Sequence, residues 1–215
     1  MPINILVYAD DIVLLAPSRY AMQELLSILE RYCTLLDLTC NATKTVCMKF
    51  DPKERSKIVA ATFPCFTLCG QALKFTTDFR YLGHIITERL KDDSDINREI
   101  RNMYIRSNTL IRRFRHCSEH VKVRLFKSYC ICLYGSALWN SYSNTSIKRL
   151  KACYHKCMKM FFGYKRSDSV TDILIKLSLP SFDTILHNSR YVFRQTWQTT
   201  TNEVVSFLRS ICVGP

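Results

Sequence analysis

Residues 3–16, Ile-Asn-Ile-Leu-Val-Tyr-Ala-Asp-Asp-Ile-Val-Leu-Leu-Ala, are the stretch that decides the fold. Two short apolar runs rich in branched residues predict buried strands, and the brief polar joint between them predicts a β-hairpin. The joint has no glycine, although tight hairpin turns usually use one, and it places Asp10 and Asp11 side by side. Neighbouring carboxylates repel each other unless a cation neutralises them. A local rule that is broken without a structural gain indicates a functional site.

A divalent cation would neutralise this pair. Carboxylates suit Mg²⁺ or Mn²⁺, and Mg²⁺ usually binds one or two protein carboxylates together with substrate phosphates. Two such ions, about 3.5–4 Å apart, can activate an attacking oxygen and stabilise a leaving pyrophosphate. The alternative is an ordinary solvated turn, and the two carboxylates by themselves do not decide between these interpretations.

The segments that follow have equally definite patterns. Ser18 can cap a helix whose apolar residues recur at helical spacing. An Asn41-x-x-Lys44-Thr45 segment then leads into an apolar strand that ends at Phe50, and the pattern from Thr62 to Thr87 is β, with a turn at Gly70. The apolar stripe of the helix consists of Met22, Leu25, Leu26, Leu29, Tyr32, Cys33 and Leu36.

In this order and spacing, the segments resemble the polymerase of non-LTR (LINE-type) retrotransposons. Tyr8-Ala9-Asp10-Asp11 is similar to the active-site hairpin of reverse transcriptases in its Tyr-x-Asp-Asp form. The Asn-x-x-Lys-Thr segment is similar to the next block of that family, and Phe79–Ile86 resembles its primer-grip hairpin. The resemblance covers nearly the whole chain up to the helical tail, although its diagnostic motifs stop near Ile86.

The resemblance implies an RNA-directed DNA polymerase that performs two-metal nucleotidyl transfer with Mg²⁺ or Mn²⁺. Asp10 and Asp11 would bind the metal, and Lys44 would donate a proton to pyrophosphate. The implied partners are an RNA template, a DNA primer or an RNA–DNA hybrid, and dNTP, with the cytoplasm and nucleus as the expected location. The residues implied to abut the primer end or to position its backbone are Tyr8, Ala9, Tyr81, Leu82 and Gly83.

The predicted fold class is α+β. By the resemblance, a β-hairpin, a helix, a strand and a second hairpin form part of a polymerase palm over residues 1–90. Helices with apolar stripes form a thumb bundle over residues 91–165, and a helical tail with a break at Pro180 occupies residues 166–215. The helices of the bundle are predicted to begin near Asp92, with acidic residues as a cap, after Ser118 and around Asn144.

The chain of 215 residues carries a formal net charge of +13, which favours a polyanionic partner. Basic residues lie opposite the apolar stripes of the predicted bundle, where Glu99 and Glu119 are the few opposing acids. This pattern predicts a surface that follows nucleic-acid phosphates, with an ordinary solvated basic face as the alternative. The predicted primer and template contacts are Arg106, Arg112, Arg113, Arg115, Lys122 and Arg124.

The 11 cysteines are expected to be reduced thiols that pack as small hydrophobic groups, since no secretory signal is present. Cys153, His155 and Cys157 suggest a zinc site, and Cys65 with Cys69 suggests a second. Neither set contains a Cys-x-x-Cys pair, so no zinc is expected. No apolar run approaches the roughly 20 residues that span a bilayer, so no membrane partner is expected.

A polymerase palm also needs a carboxylate from a strand that precedes this hairpin, and no acidic residue precedes Asp10 here. The chain therefore resembles the C-terminal part of a polymerase, and we expect it to be inactive alone. A truncated gene model, a decayed element and a real short protein stay open as alternatives. A second functional class also stays open, namely a non-catalytic basic helical module that binds nucleic acid.

Overall fold

A computed structural model describes residues 3–50 and 64–212 of the chain. They form a mixed α+β structure, which confirms the predicted class. The fold divides into two compact units, Met1–Phe79 and Arg80–Pro215, which are described separately below. The assignment of residues 1–90 to a palm, 91–165 to a thumb and 166–215 to a tail stays a prediction.

The first unit begins with the predicted hairpin. Strand β1 (Ile5–Tyr8) pairs antiparallel with β2 (Asp11–Leu14), in a register that runs from Ile5 opposite Leu14 to Tyr8 opposite Asp11. Ala9 and Asp10 form the two-residue loop, and Ala9 takes the left-handed conformation (φ 53°) without being glycine. The prediction that both strands are buried is wrong, since Val7 is 63% exposed and Ile12 is 43% exposed.

Helix α1 (Arg19–Leu35) packs its apolar stripe only in part. The Ser18 side chain accepts a hydrogen bond from the Ala21 amide at 3.2 Å, which confirms the predicted cap. Leu26 is buried in a small cluster with Phe66, Leu68 and Leu73. The stripe residues Tyr32 and Leu36 stay exposed, because these contacts concentrate near the middle of the helix.

Short strands complete the first unit. Strand β3 (Val46–Cys47) pairs in parallel with β6 (Lys74–Phe75), and β4 (Thr67–Leu68) pairs antiparallel with β5 (Gln71–Ala72). The predicted strand before residue 50 is therefore confirmed but short. The predicted turn at Gly70 is also confirmed, because Cys69 and Gly70 both have positive φ between β4 and β5.

The boundary between the units falls within β7 (Asp78–Tyr81), which forms a hairpin with β8 (His84–Thr87). The helices of the second unit are α2 (Asp93–Phe114), α3 (Glu119–Cys130), α4 (Asn144–Phe162), α5 (Val170–Lys176), α6 (Phe182–Thr199) and α7 (Glu203–Cys212), with a short 3-10 helix over Ser136–Leu138. The predicted starts after Ser118 and at Asn144, and the break at Pro180, are confirmed.

One hydrophobic core holds the second unit together. Helices α2, α3 and α4 supply its centre, and Ile173, Phe182 and Leu186 join α5 and α6 to it. Phe126 on α3 lies 5.8 Å from the ring of Tyr154 on α4, centre to centre. None of the described helices combines the length and the apolar character that crossing a membrane requires. The fully buried side chains of this core include Ile96, Met103, Phe126, Cys130, Leu150, Tyr154, Cys157 and Met158.

Candidate functional site

The tip of the first hairpin presents two adjacent free carboxylates. Asp10 lies in the two-residue loop, and Asp11 is the first residue of β2, opposite Tyr8. Tyr8, Ala9, Asp10 and Asp11 are all exposed. Within residues 3–50 and 64–212, no side chain forms an ion pair or a hydrogen bond with either carboxylate. The hairpin thus places these oxygens in solvent, where they are available to a cation.

The chemistry of this donor pair fits only one kind of magnesium site. Mg²⁺ is often held by one or two protein carboxylates, with water and substrate phosphates as the other ligands. Among the described residues, no group of three or more His, Cys, Asp or Glu side chains could hold a metal ion. Asp10 and Asp11 therefore fit an ion that a substrate helps to bind, and do not fit a site that this part of the chain closes by itself.

Lys44 lies in a tight turn that Asn41 organises. The Asn41 side-chain oxygen accepts hydrogen bonds from the Lys44 amide at 3.1 Å and from the Thr43 hydroxyl at 2.7 Å. The Lys44 side chain is exposed, and no described contact joins it to Asp10 or Asp11. The sequence pattern Asn-x-x-Lys-Thr is thus a side-chain-stabilised turn, and the role of Lys44 beside Asp10 and Asp11 stays a prediction.

The turn of the second hairpin is held by the loop that follows α3. Leu82 (φ 46°) and Gly83 (φ 83°) form this turn after Tyr81. The Tyr134 hydroxyl donates a hydrogen bond to the Leu82 carbonyl oxygen at 2.7 Å. A Cβ on Gly83 would lie 3.1 Å from the Tyr134 ring, so the ring approaches the backbone closely. The predicted primer-positioning residues therefore lie in one supported turn.

The Asp95 carboxylate, in the first turn of α2, is completely buried and accepts several hydrogen bonds. It accepts hydrogen bonds from the Ile85 amide at 2.9 Å, from the Trp139 indole at 2.8 Å and from Arg98 Nε at 2.6 Å. His84 Nδ1 lies 3.1 Å from the Oδ2 atom of Asp95. Asp95 therefore joins strand β8, helix α2 and the segment before α4 at one point.

Glu99 is the second completely buried carboxylate, one turn further along α2. It pairs with Arg98 Nη1 at 3.1 Å and with the guanidinium of Arg106. Arg106 was expected on the outward basic face, and this expectation is wrong because its side chain is only 26% exposed and faces Glu99. The sequence does hold a signal for this pair, since Glu99 interrupts the apolar stripe between Ile96 and Met103.

The pKa of Asp95 follows from its burial and its hydrogen-bond partners. Burial alone would raise the pKa of Asp95, but His84, Arg98, the Ile85 amide and Trp139 together lower it well below its ordinary value. Asp95 is therefore ionised at neutral pH in the folded chain, as a buried group with this many donors should be.

The acidic start of α2 lies where it was predicted, with Asp92 at the N-cap and Asp93 in the first turn, where negative charge favours the helix macrodipole. Asp92 occupies the N-cap position but makes no side-chain cap hydrogen bond. Its carboxylate instead accepts hydrogen bonds from the Asn140 and Ser141 amides, at 2.8 and 2.7 Å. The Asp93 carboxylate accepts hydrogen bonds from the Ser143 and Ser146 hydroxyls, which lower the pKa of Asp93. Both acids therefore fasten the start of α4 to the start of α2.

Most of the predicted basic contacts lie on the surface of the second unit. Arg112, Arg113 and Arg115 at the end of α2 are exposed, as is Arg124 on α3. Lys122 is half-buried, with Nζ 5.9 Å from the centre of the Phe161 ring. A shallow depression of about 310 Å³ brings Arg115 and Lys122 together beside Phe162 and Gly163. The end of α2 and the start of α3 thus share one basic surface.

The thiols do not form either of the suggested zinc sites. Cys153 and Cys157 are buried in the core with their sulfur atoms 3.9 Å apart, whereas the His155 ring lies beside Tyr154. Cys65 and Cys69 are exposed. In the first unit, burial and the neighbouring Cys33 and Cys69 raise the pKa of the Cys40 thiol to about 12. Cys40 is therefore a protonated thiol at neutral pH.

Comparisons of the chain with protein-family models, with curated proteins and with solved structures find no match. The function must therefore be argued from the two surfaces described above, the carboxylate pair of the first hairpin and the basic surface of the second unit.

Proposed function

We propose that the chain is the C-terminal part of an RNA-directed DNA polymerase of the non-LTR retrotransposon type, comprising the end of the palm and the thumb. The observation that carries this proposal is the pair of free carboxylates, Asp10 and Asp11, at the tip of a hairpin between two apolar strands. Among the described residues this exposed acidic tip has no side-chain partner, and a shared divalent cation gives it a use.

In the proposed reaction, Asp10 and Asp11 hold Mg²⁺ or Mn²⁺ together with substrate oxygens. Held by these two carboxylates, such an ion would supply positive charge to the attacking and leaving oxygens of nucleotidyl transfer. Tyr8 and Ala9 flank the acids and contact the primer end. Tyr81, Leu82 and Gly83 position the primer backbone. Lys44 stays the proposed proton donor, since its side chain is exposed and has no partner among residues 3–50 and 64–212.

Manganese binding tests the carboxylate pair directly. Substoichiometric Mn²⁺ added to ¹⁵N-labelled chain should broaden the amide signals of residues 8–12 before others, because the paramagnetic ion relaxes nearby nuclei. The double variant Asp10→Asn/Asp11→Asn should lose this effect, and Asp37→Asn, which removes another exposed carboxylate of the same unit, should keep it. Broadening that ignores the double substitution would remove the basis of the proposal.

A second candidate is a non-catalytic basic module that binds nucleic acid through its helices. The exposed Arg112, Arg113 and Arg115 favour it, because three neighbouring cations that have no acidic partner in the described part of the chain gain from phosphate contacts. Such contacts give affinity without sequence preference. In a salt titration, log affinity for a duplex should fall with log salt at a slope of about −0.9 per phosphate contact.

The two candidates make separable predictions. The triple substitution of Arg112, Arg113 and Arg115 by Ala should weaken binding to an RNA–DNA hybrid and to unrelated duplexes alike, and should flatten the salt slope. Binding with manganese-dependent contacts at residues 8–12 supports the polymerase proposal. Binding that does not depend on Asp10 and Asp11 supports only the second candidate, the basic module.

A further inference from the structure

Helix α3 separates two concave surfaces. On one flank lies the depression that Arg115 and Lys122 line. On the other flank, a larger cleft of about 530 Å³ lies between α3 and the end of α5. Its lining residues are Glu119, His120, Val123, Arg124, Lys127, Lys176, Leu177 and Ser178.

The cleft between α3 and α5 is strongly basic. Arg124, Lys127 and Lys176 surround it, His120 adds an imidazole, and Glu119 is the one carboxylate among its lining residues. Arg124, Lys127 and Lys176 are exposed, and no described ion pair involves them. Contact with Tyr164 and the charge of Glu119 raise the pKa of Lys176, so this amine stays protonated at neutral pH. The cleft therefore concentrates positive charge on a concave surface, with Glu119 as the one acid that offsets it.

Basic side chains line the depressions on both flanks of α3. Arg115 at the end of α2 and Lys122 share the first depression, and Arg124 and Lys127 line the second with Lys176. A small anion would occupy one depression, whereas cations in depressions on both flanks of one helix fit a polymer with regularly repeated phosphates. The floor of the second cleft is made by Val123 and Leu177, which offer no specific base contacts.

We propose that the cleft between α3 and α5 binds backbone phosphates of nucleic acid, so that the tail helix α5 belongs to the same binding surface as α2 and α3. This inference rests on the proposed nucleic-acid binding and extends it to a segment whose role the sequence did not indicate. The residues that it adds are Lys127 and Lys176, with Arg124 as the link to the predicted surface.

Acetylation footprinting of the full chain tests this without any substitution. With an RNA–DNA hybrid of 20 base pairs bound, the acetylation rates of Lys127 and Lys176 should each fall about threefold or more, because phosphate contacts cover the amines. Lys91 is an exposed lysine before the other end of α2, and its rate should not change. Equal rates with and without hybrid at Lys127 and Lys176 would overturn the inference, and so would equal protection by inorganic pyrophosphate.

Matched substitutions separate this inference from the proposal on which it rests. Replacing Arg124, Lys127 and Lys176 by Ala should weaken hybrid binding about tenfold or more and flatten the salt slope by about 2 to 3. The control replaces Lys74, Lys91 and Arg194, which are exposed elsewhere, and should keep wild-type affinity.

Three patterns decide the outcome. Loss of affinity in both the cleft variant and the Arg112/Arg113/Arg115 variant supports the inference. Loss in the second variant only overturns the inference and leaves the proposed function intact. A wild-type chain that binds no hybrid overturns both.

Discussion

The hydroxyl of Tyr134 donates a hydrogen bond to the carbonyl oxygen of Leu82 at 2.7 Å. This contact joins the loop after α3 to the turn of the second hairpin, across 52 residues of sequence. The Tyr134 ring also lies 6.0 Å from the Arg98 guanidinium, and Arg98 donates to the Tyr134 carbonyl oxygen. The turn is thus tied, through one side chain, to the buried charges of α2.

Tyr134→Phe removes this hydrogen bond and keeps the ring. We expect a loss of about 0.5–1.5 kcal/mol in the free energy of unfolding, the usual net value of one hydrogen bond. Amide hydrogen exchange should accelerate at Leu82 and Gly83 in particular. Tyr129→Phe is the matched control, since Tyr129 is exposed and its hydroxyl has no described partner. Similar exchange in both variants would show that the contact does not hold the turn.

Glu99→Ala should destabilise the chain much more strongly. It leaves the cations of Arg98 and Arg106 without their buried partner, and breaking a buried ion pair costs about 3–5 kcal/mol. The control is Asp183→Ala, which breaks an exposed pair with Lys151 at 2.6 Å and should cost about 1 kcal/mol or less. Chemical denaturation of both variants measures the difference, and equal costs would contradict a buried network.

The pKa of Asp95 gives a pH prediction with a definite sign. The folded state lowers this pKa below the unfolded value of about 3.9, so the ionised form stabilises the fold above that pH. The stability is lost progressively as the pH falls below about 5, because the unfolded chain then binds more protons. Asp95→Asn should be less stable at pH 7 and should show a flatter loss between pH 5 and 3. If the free energy of unfolding fell equally steeply between pH 5 and 3 in the variant and the wild type, the lowered pKa of Asp95 would be refuted.

Gly135 and Gly163 form a matched pair for a steric prediction. Both have left-handed φ, 78° and 79°, so alanine at either position costs about 1–2 kcal/mol in backbone strain. A Cβ on Gly135 would also lie 2.9 Å from His84 Nδ1, whereas a Cβ on Gly163 meets nothing within 4 Å. Gly135→Ala should therefore be the more destabilising by about 1–3 kcal/mol in thermal or chemical unfolding. Equal losses would mean that His84 moves aside freely.

Local pattern was enough to predict the hairpin, the Ser18 cap and the helix starts, because each depends on residues near in sequence. The exposure of Val7 and Ile12 could not be predicted in this way, because burial depends on which distant segments cover a strand. The pairing of β3 with β6 is likewise a long-range contact.

The basic surface was predicted only in part, for a similar reason. Arg112 and Arg106 look alike in sequence, but Arg106 faces Glu99 because that acid lies on the buried stripe of α2. A charged residue between Ile96 and Met103 is the sign that an arginine must turn inward to neutralise it. Lys176 and the residues of α3 line the same cleft although they are distant in sequence, which no local pattern contains.

The most direct test of the proposed function is localised cleavage by iron. Fe²⁺ replaces Mg²⁺ at carboxylate sites, and with ascorbate and peroxide it cuts nucleic acid next to the bound ion. The chain should be mixed with an RNA–DNA hybrid whose DNA strand has a recessed 3′ end. We predict cuts that cluster within a few nucleotides of that end, that disappear in Asp10→Asn/Asp11→Asn and that persist in Asp37→Asn. Uniform cutting, or clustered cutting that survives the double substitution, would contradict a metal at this hairpin beside a primer end.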